Sequence, residues 1–508
     1  MKTLIKISPP LWPIFEIELD LVMQELSSNR SVTMMICNGK KNYCIANPKM
    51  NKLKCSFCKS RLKNGLNIIK KKFNKEKIEY IEEKFNHFKS NYKFSNKSLN
   101  NFKLKKIDFG SAVLGTIITQ YKNKNIDIKK YNFLANVLLD ESIKTLQNFK
   151  KIIKNNYSKI LIFNGRHYNY RPILRYCQQK KINAYCYDYP YFAHNGYLIR
   201  KLDFTQNLAK RSYFLVKSIQ NLNFNQIKNQ GIAFLKNRID KKSDGASPVF
   251  NINQKKILPK NFDANKINVI IFNSTDFESI TISENKKLYL FNDQIQATEF
   301  ILSRFKNKKV SFYLRYHPNA YHEKIDIEKY KFLEKKFSNF SLIDSYSKIS
   351  SHYLIKNSNF VISFGSTVGL EAIFLKKNLI TLGPASYMRF NIDTVPKSKK
   401  KLIEITNKLI KSNKFNKNKY NKAIKAGYAL KYEHEKLKFL VNKGFYKSTY
   451  NIDNQKVEIK KNITLYILYK MLYYFETFIN NFVELIKYPK RFPFILKTYI
   501  RKIKLNYD

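Results

Sequence analysis

Short apolar strands that run into polar loops and then into helices recur through the second half of this 508-residue chain. That alternation constrains the fold more than any other feature, because parallel strands need crossover connections and helices are the usual ones. NVIIF, VSFYLRY, FSLID, FVISF and LITLG read as five such strands. Two of the junctions stand out. VSFYLRYHPNA (310–320) ends in Arg315, His317 and Pro318. NFVISFGSTVGLEAIFLKKNLITLG (359–383) carries Ser363, Gly365, Ser366, Thr367, Gly369 and Glu371. Each places polar residues at the carboxyl end of a parallel strand, where open α/β sheets bind ligands.

The residue types in these loops suit a phosphorylated donor. Gly365 allows close backbone approach, and Ser366 and Thr367 offer hydroxyls and amides at a helix start whose positive dipole end attracts phosphate. Arg315 and His317 add side-chain donors and positive charge. Glu371, one turn into the helix, is within reach of ribose hydroxyls. The bland alternative is a His-Pro turn and a capped helix start. The order of the two motifs within one β/α repeat favours the site.

At these residues the sequence resembles the capsular and surface polysaccharide biosynthesis family of bacterial glycosyltransferases. The likeness lies in a strand ending Arg-x-His-Pro and a Ser-x-x-Gly-x-Glu-Ala helix start, here SFGSTVGLEA. Weaker echoes are IIFNSTDFESI (270–280), FNDQIQATEFI from Phe291 and IFNGRHYNYRPILRY from Ile162, so the resemblance spans 155–390. It implies an α/β fold of GT-B type: two Rossmann-type domains facing a cleft, with a helical C-terminal extension. It further implies a nucleotide-sugar donor, such as a CMP-linked acidic sugar, and a glycan or lipid-linked acceptor. Asn273, Ser274, Arg315, His317, Pro318, Ser363, Gly365, Ser366, Thr367 and Glu371 are then the donor-binding set.

The first half is expected to contain strands at TLIKI, VTMMIC, KILIFN and NAYCYDY, with helices near 11–27, 73–90, 131–154 and 170–180. The polar, Gly- and Pro-bearing stretch around 241–261 is the expected linker. The domains then run 1–240 (acceptor side), 262–445 (nucleotide-sugar side) and 446–508, a basic aromatic helical tail.

Net charge is +58, but only 13 of the 95 basic residues are Arg, and Asn, Ile, Phe and Tyr are also abundant, as A/T-rich codons dictate. Lysine is spread along the whole chain, which argues against a specific nucleic-acid face. Anionic membranes and acidic polysaccharide remain natural partners of such a surface. Where Arg survives is more informative. Arg166, Arg171 and Arg175 follow the strand KILIFN, with Arg171 and Arg175 one turn apart. Arg166, Arg171 and His167 read either as the acceptor wall of a cleft or as an ordinary basic helix surface. A general base for an acceptor hydroxyl is sought among Asp188, His167, Asp276 and Glu278. No Asp-x-Asp pair stands at a strand end, so no catalytic metal is expected.

Cys37, Cys44, Cys55 and Cys58 form C-x6-C-x10-C-x2-C in a lysine-rich, loop-like segment, a setting that favours thiolate. A structural zinc site, buried structural thiols, a redox pair at Cys55 and Cys58, or an iron–sulfur cluster would each fit. The start MKTLIKISPPLWPIFEIELD lacks a signal-peptide pattern, and no uninterrupted apolar run spans a membrane, so a cytoplasmic location is expected. In the tail, Lys487, Lys490, Arg491, Lys497, Arg501, Lys502 and Lys504 lie among Phe492, Phe494, Ile495, Leu496, Tyr499 and Ile500. That mixture suits peripheral contact with anionic lipid headgroups. Two other readings share these residues. One is a polyol-phosphate transferase or nucleotide-sugar epimerase on the same fold, and the other a non-enzymatic basic protein that binds nucleic acid or membrane.

Overall fold

The computed structural model describes residues 1–460 apart from 10–12, 85–88, 191, 193–194, 241–252, 276, 278–279, 307–308, 319, 321–323 and 444–446, and beyond 460 only 464, 467, 468 and 471. The tail residues singled out above lie outside the described residues. Among the described residues no helix is long and apolar enough to cross a membrane.

Two separate sheets organise the chain. The first contains β1 (Lys2–Lys6), β2 (Ser31–Cys37), β3 (Ile78–Glu83), β4 (Lys159–Phe163), β5 (Ala184–Asp188) and β6 (Leu198–Lys201), in the order β3-β2-β1-β4-β5-β6. All neighbours are parallel except β5 and β6. The second holds β7 (Ile267–Phe272), β8 (Val310–Arg315), β9 (Phe340–Ile343), β10 (Phe360–Ser363) and β11 (Asn378–Thr381), ordered β11-β10-β7-β8-β9 and wholly parallel. Both are Rossmann-like sheets, and together they give the GT-B arrangement. Each reverses strand order once, between β1 and β4 and between β7 and β10, and such reversals open a ligand crevice at the carboxyl edge.

All five strands expected in the second half are present. In the first half one expected element differs, and helices Asn96–Asn101, Phe109–Tyr121, Leu208–Ser218 and Phe224–Ile239 and strand Leu198–Lys201 are additional. The helix expected near 73–90 is instead the edge strand β3, because IEYIEE puts β-formers beside the parallel partner β2. The helix lies just upstream, at Lys52–Lys72, where Asn51 caps it by accepting from Leu53 N at 2.9 Å.

The domain division also differs from the linear one. Helices Leu208–Ser218 and Phe224–Ile239 share a core with helix Lys417–Lys431 and the second sheet, through Leu215, Phe234, Leu235, Ile424 and Leu430. Residues 437–452 return to the first domain, where Leu437, Leu440, Tyr450 and Ile452 pack with β1 and helix Ile14–Ser27. The Asp20 carboxylate fixes that return by accepting from Lys438, Phe439 and Leu440 N. The beginning of the expected helical tail is instead β-structure: β12 (Leu440–Lys443), which precedes the tail, forms an antiparallel meander with β13 (Lys447–Ile452) and β14 (Gln455–Lys460). Its Asp453-Asn454 turn has both φ angles positive, as a tight hairpin requires.

Helix Ile14–Ser27 also buries an acid. Glu18 is 0 % exposed, and its Oε1 accepts from Ser8 N at 2.9 Å and Tyr187 Oη at 2.6 Å. Burial raises its pKa to about 7 despite those donors. The unfolded carboxyl titrates near 4.3. Across that window the folded chain holds a proton that the unfolded chain releases, so stability falls as pH rises from about 4 to about 7. Glu18→Gln should match the parent near pH 4 and exceed it by about 2 to 3 kcal/mol at pH 8 in urea titrations. A stability difference that does not change with pH would remove Glu18 from this role.

Candidate functional site

The crevice of the second sheet is framed by the ends of β7, β8 and β10. Asn273 follows β7, and its Oδ1 accepts from His317 N at 2.7 Å, so one buried amide fixes the position of the His-Pro loop. Ser274 is tied by both backbone groups to Gln294, from N to Oε1 at 2.9 Å and from Nε2 to O at 3.0 Å. Arg315 closes β8 and is 4 % exposed. Its Nη2 donates to the carbonyls of Ser345 and Ser347 at 3.4 and 3.0 Å, while its Nη1 is buried with no hydrogen-bond partner. Burial lowers its pKa to about 10, with Asp344 opposing the shift, and the guanidinium stays charged at neutral pH. His317 and Pro318 are partly exposed. Desolvation lowers the His317 ring to about 4, so it is neutral at pH 7, with one nitrogen able to donate and the other to accept. The structure therefore assembles Asn273, Ser274, Arg315 and His317 at one edge, and the partly exposed Ser366 and Thr367 follow β10, which pairs with β7 on the side opposite β8.

Three residues of the Gly-Ser-Thr segment sit differently from expectation. Ser363 is completely buried below the loop. Gly365 has φ +97°, and a Cβ there would lie 2.0 Å from the Pro384 carbonyl oxygen. Its close approach is thus to the loop after β11 rather than to a ligand. Glu371, expected on ribose hydroxyls, is 3 % exposed, and both its oxygens are engaged: Oε1 with Arg238 Nε and Oε2 with His352 Nε2, each at 2.6 Å. Burial alone would raise this carboxyl, but Arg238 and His352 outweigh it and hold the pKa at about 2. Arg238 Nη2 also donates to Thr367 Oγ1 at 3.1 Å, and its guanidinium lies 5.0 Å from the centre of the Phe192 ring. An arginine from the end of helix Phe224–Ile239 therefore buttresses the donor loop. Its only sequence signal was that Arg is scarce.

On the first domain, Asp188 ends β5 and is 3 % exposed. Its carboxylate accepts from Asn164 Nδ2 at 2.6 Å, Thr205 Oγ1 at 2.8 Å and Tyr189 N at 3.0 Å. Burial raises its pKa against those donors and Arg166. His167, also buried, is held neutral by desolvation and by Arg166, and its Nδ1 has no hydrogen-bond partner. Of the two, His167 retains an uncommitted basic atom. Asp276 and Glu278 lie outside the described residues.

Arg171, read from the sequence as acceptor wall or basic helix surface, is 2 % exposed and already compensated. It donates to Asp108 Oδ2 from Nε at 3.0 Å and Nη2 at 2.5 Å, and Nη1 donates to the Thr281 carbonyl at 3.1 Å. Arg175 joins the same carboxylate at 3.1 Å, and both guanidinium groups stack over Phe204. The bond to Thr281 crosses between domains. Phe277 and Ile282, from the connection after β7, complete the crossing by entering the first domain's core.

The four N-terminal cysteines line one cavity of ≈ 90 Å³ together with Lys6, Lys41 and Tyr168. They are nevertheless not gathered at ligand spacing: among the described residues no group of three or more Cys, His, Asp or Glu can hold a metal ion. Cys37 Sγ accepts from Gly39 N and Cys55 Sγ from Asn47 Nδ2, both at 3.3 Å. Burial pushes the Cys44 and Cys58 thiols up, against the expectation of thiolate, because the cavity wall excludes water more than the lysines attract charge. The residues present do not fit the zinc site.

Residues 288–392 match the sequence profile of the family described as capsule polysaccharide biosynthesis protein. That span contains Arg315, His317, Gly365 and Glu371. A search among curated proteins finds no match. Among solved structures, the chain is similar to the beta Kdo 2,4 transferase KpsC of Thermosulfurimonas dismutans, at 12% identity and TM-score 0.37 over 59% of this chain and 84% of that one. The beta Kdo 2,7 transferase of the same organism gives 11% and 0.34 over 64% and 89%. UDP-GlcNAc 2-epimerase of Neisseria meningitidis gives 12% and 0.26 over 83% and 94%. No TM-score here reaches 0.5, and the chemistry of the loops has to carry the functional reading.

Proposed function

We propose that this chain, joined by residues 288–392 to the capsule polysaccharide biosynthesis family, is a glycosyltransferase of surface polysaccharide synthesis. It takes a sugar from a nucleotide-sugar donor and passes it to a glycan or lipid-linked acceptor. The observation that carries this reading is the convergence at the β7/β10 crevice: a charged Arg315 with an unpartnered Nη1, a neutral His317 pinned by Asn273, and the hydroxyls of Ser366 and Thr367.

In the proposed reaction the bond from the anomeric carbon to the donor phosphate breaks while a bond from that carbon to the acceptor oxygen forms. Negative charge develops on the departing phosphate, and donors already oriented toward it lower the barrier because they need no rearrangement. Arg315 Nη1 and the His317 ring N–H are those donors, in place of a divalent cation. The acceptor hydroxyl gives its proton to a general base on the first domain; His167, held neutral by desolvation and Arg166, is the candidate, although the same burial weakens it as a base.

His317→Ala tests the reading, since the side chain is partly exposed and the bond to Asn273 is made by the backbone N–H, which alanine keeps. Nucleoside diphosphate binding should weaken by roughly 1 to 3 kcal/mol in calorimetric titration, with the melting temperature nearly unchanged. Arg315→Lys serves as the second variant, because truncation to alanine would also release the carbonyls of Ser345 and Ser347. Parent-like nucleotide binding in both variants would refute the assignment. Turnover of the donor with no acceptor present would favour the epimerase reading.

A further inference from the structure

We infer that a cleft between the two domains, beside the donor crevice, binds the anionic groups of an acidic glycan. Only the identification of this glycan as the acceptor rests on the transferase reading. The cleft, of ≈ 820 Å³, lies between helices Asn96–Asn101, Phe109–Tyr121 and Arg171–Lys180 of the first domain and residues 280–286 of the second. Its size is within the range of ligand pockets. Ile280 and Thr281 of this wall stand within ten residues of Asn273 and Ser274 in the sequence, which links the cleft to the donor loops along the chain.

Among the described residues seven Lys and Arg side chains line the cleft against one carboxylate, Asp108. Asp108 is taken up by Arg171 and Arg175, and Lys124 pairs with Asp326 at 3.2 Å. Lys97, Lys103, Lys106 and Lys286 are exposed and make no ion pair among the described residues; the nearby Glu284 acts on Arg171, Arg175 and Lys210, so these four positive charges from both domains have no acid paired with them among the described residues. Mutual repulsion disfavours that grouping unless a counter-ion fills it.

The make-up of the lining separates this cleft from the general basicity of the surface. Lys105 and Lys106 take positive φ angles, 48° and 65°, in the turn Leu104–Ile107, as Lys122, Lys181 and Lys376 do elsewhere, and asparagine adopts that conformation more readily than lysine. Between the cations the wall is polar, with Asn96, Asn100, Asn101, Gln179, Ser111 and Ser283; Asn96, Ser111 and Ser283 already bond within the protein, and the N–H groups and lone pairs left over suit sugar hydroxyls. Among the described residues the lining has no aromatic one. Single-stranded nucleic acid depends on aromatic stacking platforms, so this wall favours a carboxylated or phosphorylated glycan.

The test uses the full chain and three fluorescent probes: an oligogalacturonate, a neutral maltooligosaccharide of equal length and a single-stranded oligonucleotide of equal charge. The cleft variant is Lys103→Gln, Lys106→Asn and Lys286→Gln, with asparagine chosen because it tolerates the left-handed turn. A control variant removes three exposed lysines from the far helix Lys399–Lys411, as Lys400→Gln, Lys408→Gln and Lys411→Gln. The oligogalacturonate should bind and the neutral sugar should not. The cleft variant should lose about tenfold or more in affinity with a shallower salt dependence, while the control stays near the parent. His317→Ala should bind the oligogalacturonate as the parent does, which separates this proposal from the donor reading. Equal losses in the cleft and control variants would reduce the effect to diffuse surface charge, and tighter binding of the oligonucleotide would reassign the cleft. Either outcome overturns the inference.

Discussion

Gly365→Ala should destabilise the second domain by roughly 3 to 6 kcal/mol and abolish nucleotide binding at concentrations that saturate the parent. Two independent costs add. At φ +97° an L side chain is strained whatever the space around it, and the new Cβ would lie 2.0 Å from the Pro384 oxygen and 2.9 Å from its carbonyl carbon. Both obstacles are backbone, so neither can rotate away. Relief requires the loop after β10 to lift off the loop after β11, which moves Ser366 and Thr367 out of line with Arg315. Urea denaturation and nucleotide titration read the two effects separately. An alanine variant with parent-like stability would show that the two loops can part freely, and the crevice would lose its claim to a fixed shape.

How much of this was legible in the sequence follows from the range of the interactions. The five strands of the second sheet were readable because each is a short apolar run ending at a polar loop, a signal contained within a few residues. The polar loops that end β8 and β10 were readable for the same reason. Helix Lys52–Lys72 was not, since its lysines mask the periodicity and its lone cap, Asn51, looks like one more polar loop residue. The strand β3 takes its identity from pairing with β2, more than forty residues away. The domain boundary escaped because helices Leu208–Ser218 and Phe224–Ile239 precede the linker yet complete the core beyond it. The cysteines show the limit of spacing: the four converge on one cavity without reaching ligand geometry. Glu371 was found as a residue and misjudged as a contact, since its partner Arg238 lies 133 positions away.

That distant pairing leads to the second large effect. Arg238→Ala should cost roughly 3 to 5 kcal/mol, because it leaves the buried Glu371 carboxylate with His352 alone. The loss arises more from the stranded charge than from the missing bond. Arg238→Ala combined with Glu371→Gln should therefore recover most of the stability, a non-additive result expected of residues in contact. Recovery should not extend to function: Thr367 Oγ1 still lacks the donor from Arg238 Nη2, and nucleotide binding should stay weak in the double variant. The pH dependence supplies an independent check. The folded pKa of Glu371 is held at about 2, below its unfolded value, so the stabilisation is fully present above about pH 4 and is lost as pH falls toward 2. The advantage of the parent over Glu371→Gln should vanish across that acid window. If it persists below pH 2, or if the double variant is as unstable as Arg238→Ala, the buried ion cluster is not what ties the end of helix Phe224–Ile239 to the donor loop. Were that so, packing of Arg238 on Phe192 and Phe234 would have to carry the connection.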